Sequence, residues 1–213
     1  MKTLHLLYTF SKLIGIKKPY FYSKNSYYYF ESISTKYYNG KYYLRLMEVF
    51  KSMKSISSNK KLNYNAHSST KQIIKEYGTP FYTMKNEGMK ETEILYYKKR
   101  IGFHKARLEF HFYKERLFFY SYTFPYLSNS DKIEIKKTLE EKYYEKQKID
   151  FTKNYLTDLD KNMISVTDDM EYSILYFCKN DKAISKLESK RKSKQINKLN
   201  TNKLHKSDLF RNL

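Results

Sequence analysis

The clearest pattern in this 213-residue chain runs from Lys105 to Tyr113. Lys105, Arg107, Glu109 and His111 alternate with Ala106, Leu108, Phe110 and Phe112, the period of two that sends successive side chains to opposite faces of a strand. A turn at Lys114-Glu115 returns the chain as a second strand, pairing Phe112 with Leu117 and Phe110 with Phe119 on an apolar face. The same register sets His111 against Phe118, Glu109 against Tyr120 and Arg107 against Tyr122 on the polar face, and Pro125 ends the strand. Further strands are expected at Glu93 to Tyr97, at Met163 to Val166 after a turn over Asp158 to Asn162, and at Tyr172 to Phe177.

Other segments carry helical spacing. Leu46, Val49, Phe50 and Met53 fall at i, i+3, i+4 and i+7, and the pattern fades in Ser55 to Asn59. Ser69-Thr70-Lys71-Gln72 has capping-box spacing before Ile73, Ile74 and Tyr77, and Gly78 with Pro80 supplies a stop, so a helix is expected over Thr70 to Tyr77. Ser130-Asp131 opens another, with Ile135, Leu139 and Tyr143 on its inner face and acidic groups at its positive end. In the tyrosine-rich stretch from residue 20 to 43, Asn39-Gly40 between aromatics is a strong hairpin signal. Beyond Asn180 the chain is charged around Lys190-Arg191-Lys192-Ser193-Lys194 and reads as a solvated helix or a disordered tail.

A weak repeat links these elements. Ile74-Lys75-Glu76-Tyr77 and Glu91 to Tyr97 are echoed by Glu140-Glu141-Lys142-Tyr143 and Glu171 to Phe177. Two helix-then-strand copies build one antiparallel sheet with helices packed on one face. The expected class is α+β, with an N-terminal aromatic hairpin and helix extension (residues 1–60), a core domain (61–180) and a basic C-terminal tail (181–213).

Charge changes this picture. Lys and Arg number 42 against 22 Asp and Glu, a net +20, and only six of the 42 are Arg. An AT-rich genome over-supplies Lys, Tyr, Ile, Asn and Phe, which explains part of the surplus, but acidic triplets are AT-rich too and the imbalance survives. Such a field attracts polyanions and makes binding salt-dependent. Scarce Arg argues against bidentate base reading. The aromatic fraction of 18% argues against wholesale disorder. The single Cys178 excludes an internal disulfide and a multi-cysteine zinc site and leans towards a reducing, cytoplasmic setting. The start, Met1 to Phe10, has the basic n-region of a signal peptide in Lys2, but His5, Ser11 and Lys12 break the apolar run and no small-residue cleavage site follows, so the segment is expected to be mature chain. No run is long enough to span a bilayer.

Little chemistry is advertised. Asp158-x-Asp160-x-Asn162 with Asp169 at the twelfth position suggests a calcium loop, but Met163 stands where the loop needs Gly and Asp169 where it needs a bidentate Glu, so a plain Asp/Asn turn is expected. Arg100 to His104 and Arg107 to His111 each enclose three residues, fewer than in nuclease motifs of the HEPN type, and acid-base work needs a second proton-transfer group in a cleft. No Gly-rich phosphate loop or Gly-x-Ser-x-Gly occurs. Neither an enzyme nor a cofactor or metal requirement is indicated.

What remains is the outer face of the central hairpin: Arg107, Glu109, His111, Phe118, Tyr120 and Tyr122. Rings beside Arg on an exposed sheet can stack unpaired bases while Lys holds phosphates. The same six can lie beneath the N-terminal segment as a second core layer, or form a surface for a protein. Together with Lys190, Arg191, Lys192 and Lys194 they are the candidate binding residues. The leading expectation is a non-enzymatic interaction module for an acidic protein or nucleoprotein complex; the alternative is direct binding of single-stranded nucleic acid by this face and the tail.

A helix ending in Tyr77-Gly78-Thr79-Pro80, followed by the aromatic meander from Leu108 to Phe124, resembles the helix-then-hairpin units of the outer-membrane assembly lipoprotein family and of β-lactamase-inhibitor-like modules. The resemblance covers residues 66–126 and implies a non-catalytic binding module. The lipoproteins carry a secretion signal and a lipidated N-terminal cysteine, and the chain is expected to depart from them in both.

Overall fold

The computed structural model describes residues 33, 35–37, 40–85, 89–144, 148–169 and 171–193. Helix α1 (Lys41–Ser52) leads into strand β1 (Lys54–Ser57), then α2 (Thr70–Tyr77), β2 (Tyr82–Lys85), β3 (Thr92–Ile101), β4 (His104–Tyr113) and β5 (Arg116–Phe124). Helix α3 (Asn129–Tyr143), β6 (Asn154–Thr157), β7 (Met163–Asp168), β8 (Tyr172–Phe177) and a helix α4 over residues 181–193 complete the described chain. The strands form one sheet in the order β1-β6-β7-β8-β5-β4-β3-β2. Only β1 with β6 is a parallel pair. The class is α+β.

Local chemistry sets the ends of the helices. Ser69 Oγ accepts from the Gln72 amide at 3.3 Å, and the Gly78 amide donates to the Ile74 carbonyl at 2.8 Å, bounding α2 as its sequence suggests. Helix α3 starts slightly earlier than Ser130-Asp131 implies: Ser128 and Asp131 satisfy one another's backbone amides in a capping box. Buried Leu139 and Tyr143 anchor it.

The expected N-terminal hairpin is not formed. Residues 33 and 35–37 are helical, and Gly40, at φ +70°, caps α1 instead of completing a turn. Asn39 lies outside the described residues, as does the run Tyr27 to Phe30. Tertiary burial overrides the local signal, because Tyr43, Leu46 and Phe50 share one helical stripe and all three are buried. Gly40 is also where α1 and α4 approach: a Cβ there would stand 2.8 Å from Leu187 Cδ2.

The helices lie on both faces of the sheet, not on one. Ile73 of α2 and Leu139 and Tyr143 of α3 join Leu95, Tyr97, Leu108, Phe110 and Tyr120 on the first face. Tyr43, Leu46 and Phe50 of α1, with Ala183 and Leu187 of α4, cover Ile94, Tyr96, Phe118, Phe119 and Phe177 on the second. The segment expected to be a solvated tail is therefore docked at its start. Ala183 and Leu187 are fully buried, and the Ala183 amide donates to Asn180 Oδ1 at 3.1 Å to begin the helix.

The central hairpin departs from the expected register by one residue. Lys114 and Glu115 make the turn, both at positive φ, and Phe112 pairs with Leu117 as anticipated. A bulge then intervenes between His111 and Phe112, so that His111 faces Phe119, Phe110 faces Tyr120, Glu109 faces Ser121 and Arg107 faces Thr123. Phe118 and Phe119 both join the second-face core as a result, whereas Tyr120 and Tyr122 turn to the first face with Phe110. An extra residue in a period-two strand moves every later side chain across the sheet.

Candidate functional site

Strand β4 projects Arg107, Glu109 and His111 onto the second face, where Lys36, Tyr37 and helix α1 close over Glu109 and His111. Tyr37 donates a hydrogen bond to Glu109 Oε2, and the Tyr43 hydroxyl lies 2.8 Å from His111 Nδ1. With Tyr43 as donor, the imidazole proton sits on Nε2, 3.5 Å from Glu109 Oε2. Lys36 Nζ stands 4.0 Å from the same oxygen. Glu109 is 5% exposed and His111 not at all.

Burial alone raises the pKa of Glu109, but Lys36, His111 and Tyr37 outweigh it and hold the carboxyl well below the usual carboxylate range. Burial lowers His111, with Glu109 opposing the shift. Tyr37 and Tyr43 are pushed far up by burial and by the Glu109 charge, so both hydroxyls keep their protons as donors. The cluster is a buried polar network in which Tyr37 lies 72 residues from Glu109 and Tyr43 lies 68 residues from His111 in sequence.

The candidate binding residues consequently separate. Arg107 is half-buried and paired with Glu171, the residue just before β8. Glu109, His111 and Phe118 are buried on the second face, whereas Tyr120 is buried on the first, stacked on Tyr176 at 4.3 Å. Tyr122, half-buried, meets the Tyr77 hydroxyl at 3.3 Å. None of these rings lies open to stack a base. On α4, Arg191 reaches Glu48 of α1 at 3.6 Å, Lys190 is half-buried and Lys192 is exposed; Lys194 is outside the described residues.

The Asp158 turn is occupied by the protein itself. Its Oδ1 accepts from the amides of Asp160 and Asn162, and its Oδ2 from the Leu62 amide and the Asn162 side chain, at 2.8 to 3.0 Å. That carboxylate ties residue 62 to the β6–β7 turn, as a plain Asx turn does. Among the described residues no group of three or more His, Cys, Asp or Glu is placed to hold a metal ion.

An open constellation lies at the far end of β3 and β4, around the Arg100 to His104 string that the sequence offered only as an acid-base candidate. Strand β3 ends at Ile101, β4 begins at His104, and Gly102 and Phe103 make the two-residue turn between them, Gly102 at φ +57°. Phe103 is 94% exposed, and Tyr126, just past β5, is 85% exposed. Register pairs Lys98 with Arg107 and Arg100 with Lys105. These four cations share the second face with Glu109 and His111, beyond the part that α1 and α4 cover. Lys98 Nζ lies 4.0 Å from the centre of the Phe81 ring. The string Lys98-Lys99-Arg100-Ile101-Gly102-Phe103-His104-Lys105 carried the signal: basic residues around a glycine turn with an aromatic at the second central position.

No protein-family profile, curated protein or solved structure matches the chain. No helix among the described residues is long and apolar enough to cross a membrane.

Proposed function

We propose that this chain is a non-enzymatic interaction module that engages an acidic protein or nucleoprotein partner through the basic end of its sheet. The observation that carries the reading is the pair of facing cation rows at the β3–β4 tip. Like charges directly opposite one another on a sheet are destabilising. Glu171 relieves the Lys98–Arg107 row, but among the described residues no carboxylate is in ion-pair reach of Arg100 or Lys105. An anionic partner would supply the missing countercharge, and the net +20 would steer it in.

The non-catalytic part of the reading rests on the groups with acid-base potential. Glu109 and His111 are sealed under Tyr37 and Tyr43, and the Asp158 carboxylate spends its acceptors on the backbone and on Asn162. A single buried Cys178 suits a reducing compartment such as the cytoplasm. The test is heparin binding over a salt series for the wild-type chain and for Arg100→Gln/Lys105→Gln. The double variant should bind more weakly, with a log affinity versus log salt slope smaller by about two. An unchanged slope would reject this surface as the site.

A further inference from the structure

We infer that the turn of the β3–β4 hairpin is a stacking platform for the unpaired bases of single-stranded nucleic acid, with Phe103 as the platform and Lys98, Arg100 and Lys105 holding phosphates. This rests on the proposed function and names the partner of that surface.

The turn itself does not ask for a phenylalanine. Positive φ at Gly102 fits a type II′ hairpin turn, whose second central position commonly takes small polar residues. Phe103 presents nearly its whole ring to solvent and so returns nothing to the core. Its support is rigid: ten consecutive pairs, from Thr92 with Tyr113 to Ile101 with His104, join β3 to β4. The ring is thus held out at the end of a paired ribbon with both π faces accessible.

The surroundings select among polyanions. Lys98, Arg100, Lys105 and Arg107 lie on one face in two rows, about 7 Å apart by the strand rise. That is a track for a backbone of repeating phosphates leading up to the ring. A membrane surface would favour a broad apolar tip, whereas here the exposed Phe103 and Tyr126 share the end of the sheet with exposed Lys99, Arg100 and Lys105, and Ile101 is only 37% exposed. An acidic peptide would use the cations and leave the ring idle. Bases within a duplex already stack on each other, so an unpaired strand is the polyanion that uses both features.

The experiment uses the full chain and a fluorescein-labelled, mixed-sequence single-stranded RNA of 12 nucleotides, read by anisotropy over a salt series. Phe103→Ala should weaken RNA binding roughly fivefold to a hundredfold. The deficit should persist at high salt, because stacking survives screening, and heparin binding should not change. The chain contains no Trp, so Phe103→Trp gives a unique reporter whose fluorescence should be quenched by the single strand more than by the duplex. RNA affinity of Phe103→Ala equal to wild type at every salt, or no quenching in Phe103→Trp, overturns the platform; if heparin binding still depends on Arg100 and Lys105, the interaction module stands. Tighter binding to phosphatidylserine-containing vesicles than to RNA also overturns it. Failure of the wild-type chain to bind either heparin or RNA at low salt removes both readings together.

Discussion

The two faces of the sheet bury aromatic rings in different company. Under α2 and α3, Phe110 stacks on Tyr120 at 5.7 Å and Tyr120 on Tyr176, and the hydroxyls that need partners find one another at the rim, Tyr64 with Tyr77 and Tyr77 with Tyr122. Beneath α1 and residues 35–37, the rings of Tyr37, Tyr43 and Phe119 pack on the imidazole of His111, and Tyr37 holds the Glu109 carboxylate beside it. The first face is held by apolar burial. The second also depends on satisfying Glu109 and His111, which are costly to bury unpaired. Alternation of polar and apolar residues along a strand therefore distinguishes two faces without saying that the polar one meets water.

The largest expected effect tests the first face. Phe110 is fully buried among Tyr64, Tyr77, Tyr97, Tyr120 and Tyr122, so Phe110→Ala should cost about 3–5 kcal/mol in chemical denaturation. A loss below about 1 kcal/mol would mean that the first face is loosely packed.

The second face meets its equivalent test in α4. Leu187 is fully buried against the same core as Tyr43 and Phe119, and Leu187→Ala should cost about 2–5 kcal/mol. Lys192→Ala, on the exposed side, should stay within about 0.5 kcal/mol of wild type. Deleting residues 183–213, harmless if the whole segment were solvated, should then destabilise the domain by uncovering Phe118 and Phe177. Equal behaviour of Leu187→Ala and Lys192→Ala would restore the solvated tail.

How much of this was legible follows from where each signal resides. Helix α2, the Lys114-Glu115 turn, the Asp158 turn and strand β8 are written in local chemistry, namely caps, turn residues and short periodic runs, and the sequence specifies them within a few residues. The bulge after His111 is not local, for nothing in Phe118-Phe119-Tyr120 marks which ring is the extra one. That single slip sent Tyr120 and Tyr122 to the opposite face from Arg107. Asn39-Gly40 misled because its hairpin preference is outweighed by the burial of Tyr43, Leu46 and Phe50 in one helix. The docking of α4 turns on only two fully buried positions, Ala183 and Leu187, within a run of charges. The tip at Phe103 was visible in the sequence, but Arg100 to His104 was weighed only for acid-base chemistry, and no strand was expected between Tyr97 and Lys105 to mark the string as a turn.

A smaller effect separates a covered polar face from a solvated one. His111→Ala removes a fully buried ring and leaves the Tyr43 hydroxyl and Glu109 each short of a partner, so it should cost about 1–3 kcal/mol. A solvated His111 would cost almost nothing, and that result would place α1 away from β4.

The smallest effect is the dependence of stability on pH, and it should arise mainly from the second face. On the first, burial pushes Tyr120, Tyr176 and Cys178 upward, away from the acid range. On the second, His111 lies among Glu109 of its own strand, Lys36 and Tyr37 of the overlying segment, and Tyr43 of α1, and burial sets its folded pKa below the ordinary 6.5. Below about pH 6.5 the unfolded chain then binds a proton that the folded chain refuses, so this stabilisation is complete above that pH and declines as pH falls. Glu109 acts in the same direction in a lower window, its contribution fading as pH drops from its unfolded value of 4.5 towards about 2. Wild-type stability, measured by urea denaturation at pH 7.5 and 5.5, should therefore fall on acidification with a slope of less than one proton, and His111→Gln should flatten that slope while leaving the loss below pH 4.5 in place. Equal slopes for the two proteins between pH 7.5 and 5.5 would mean that water reaches the imidazole, and that the second face is only partly covered.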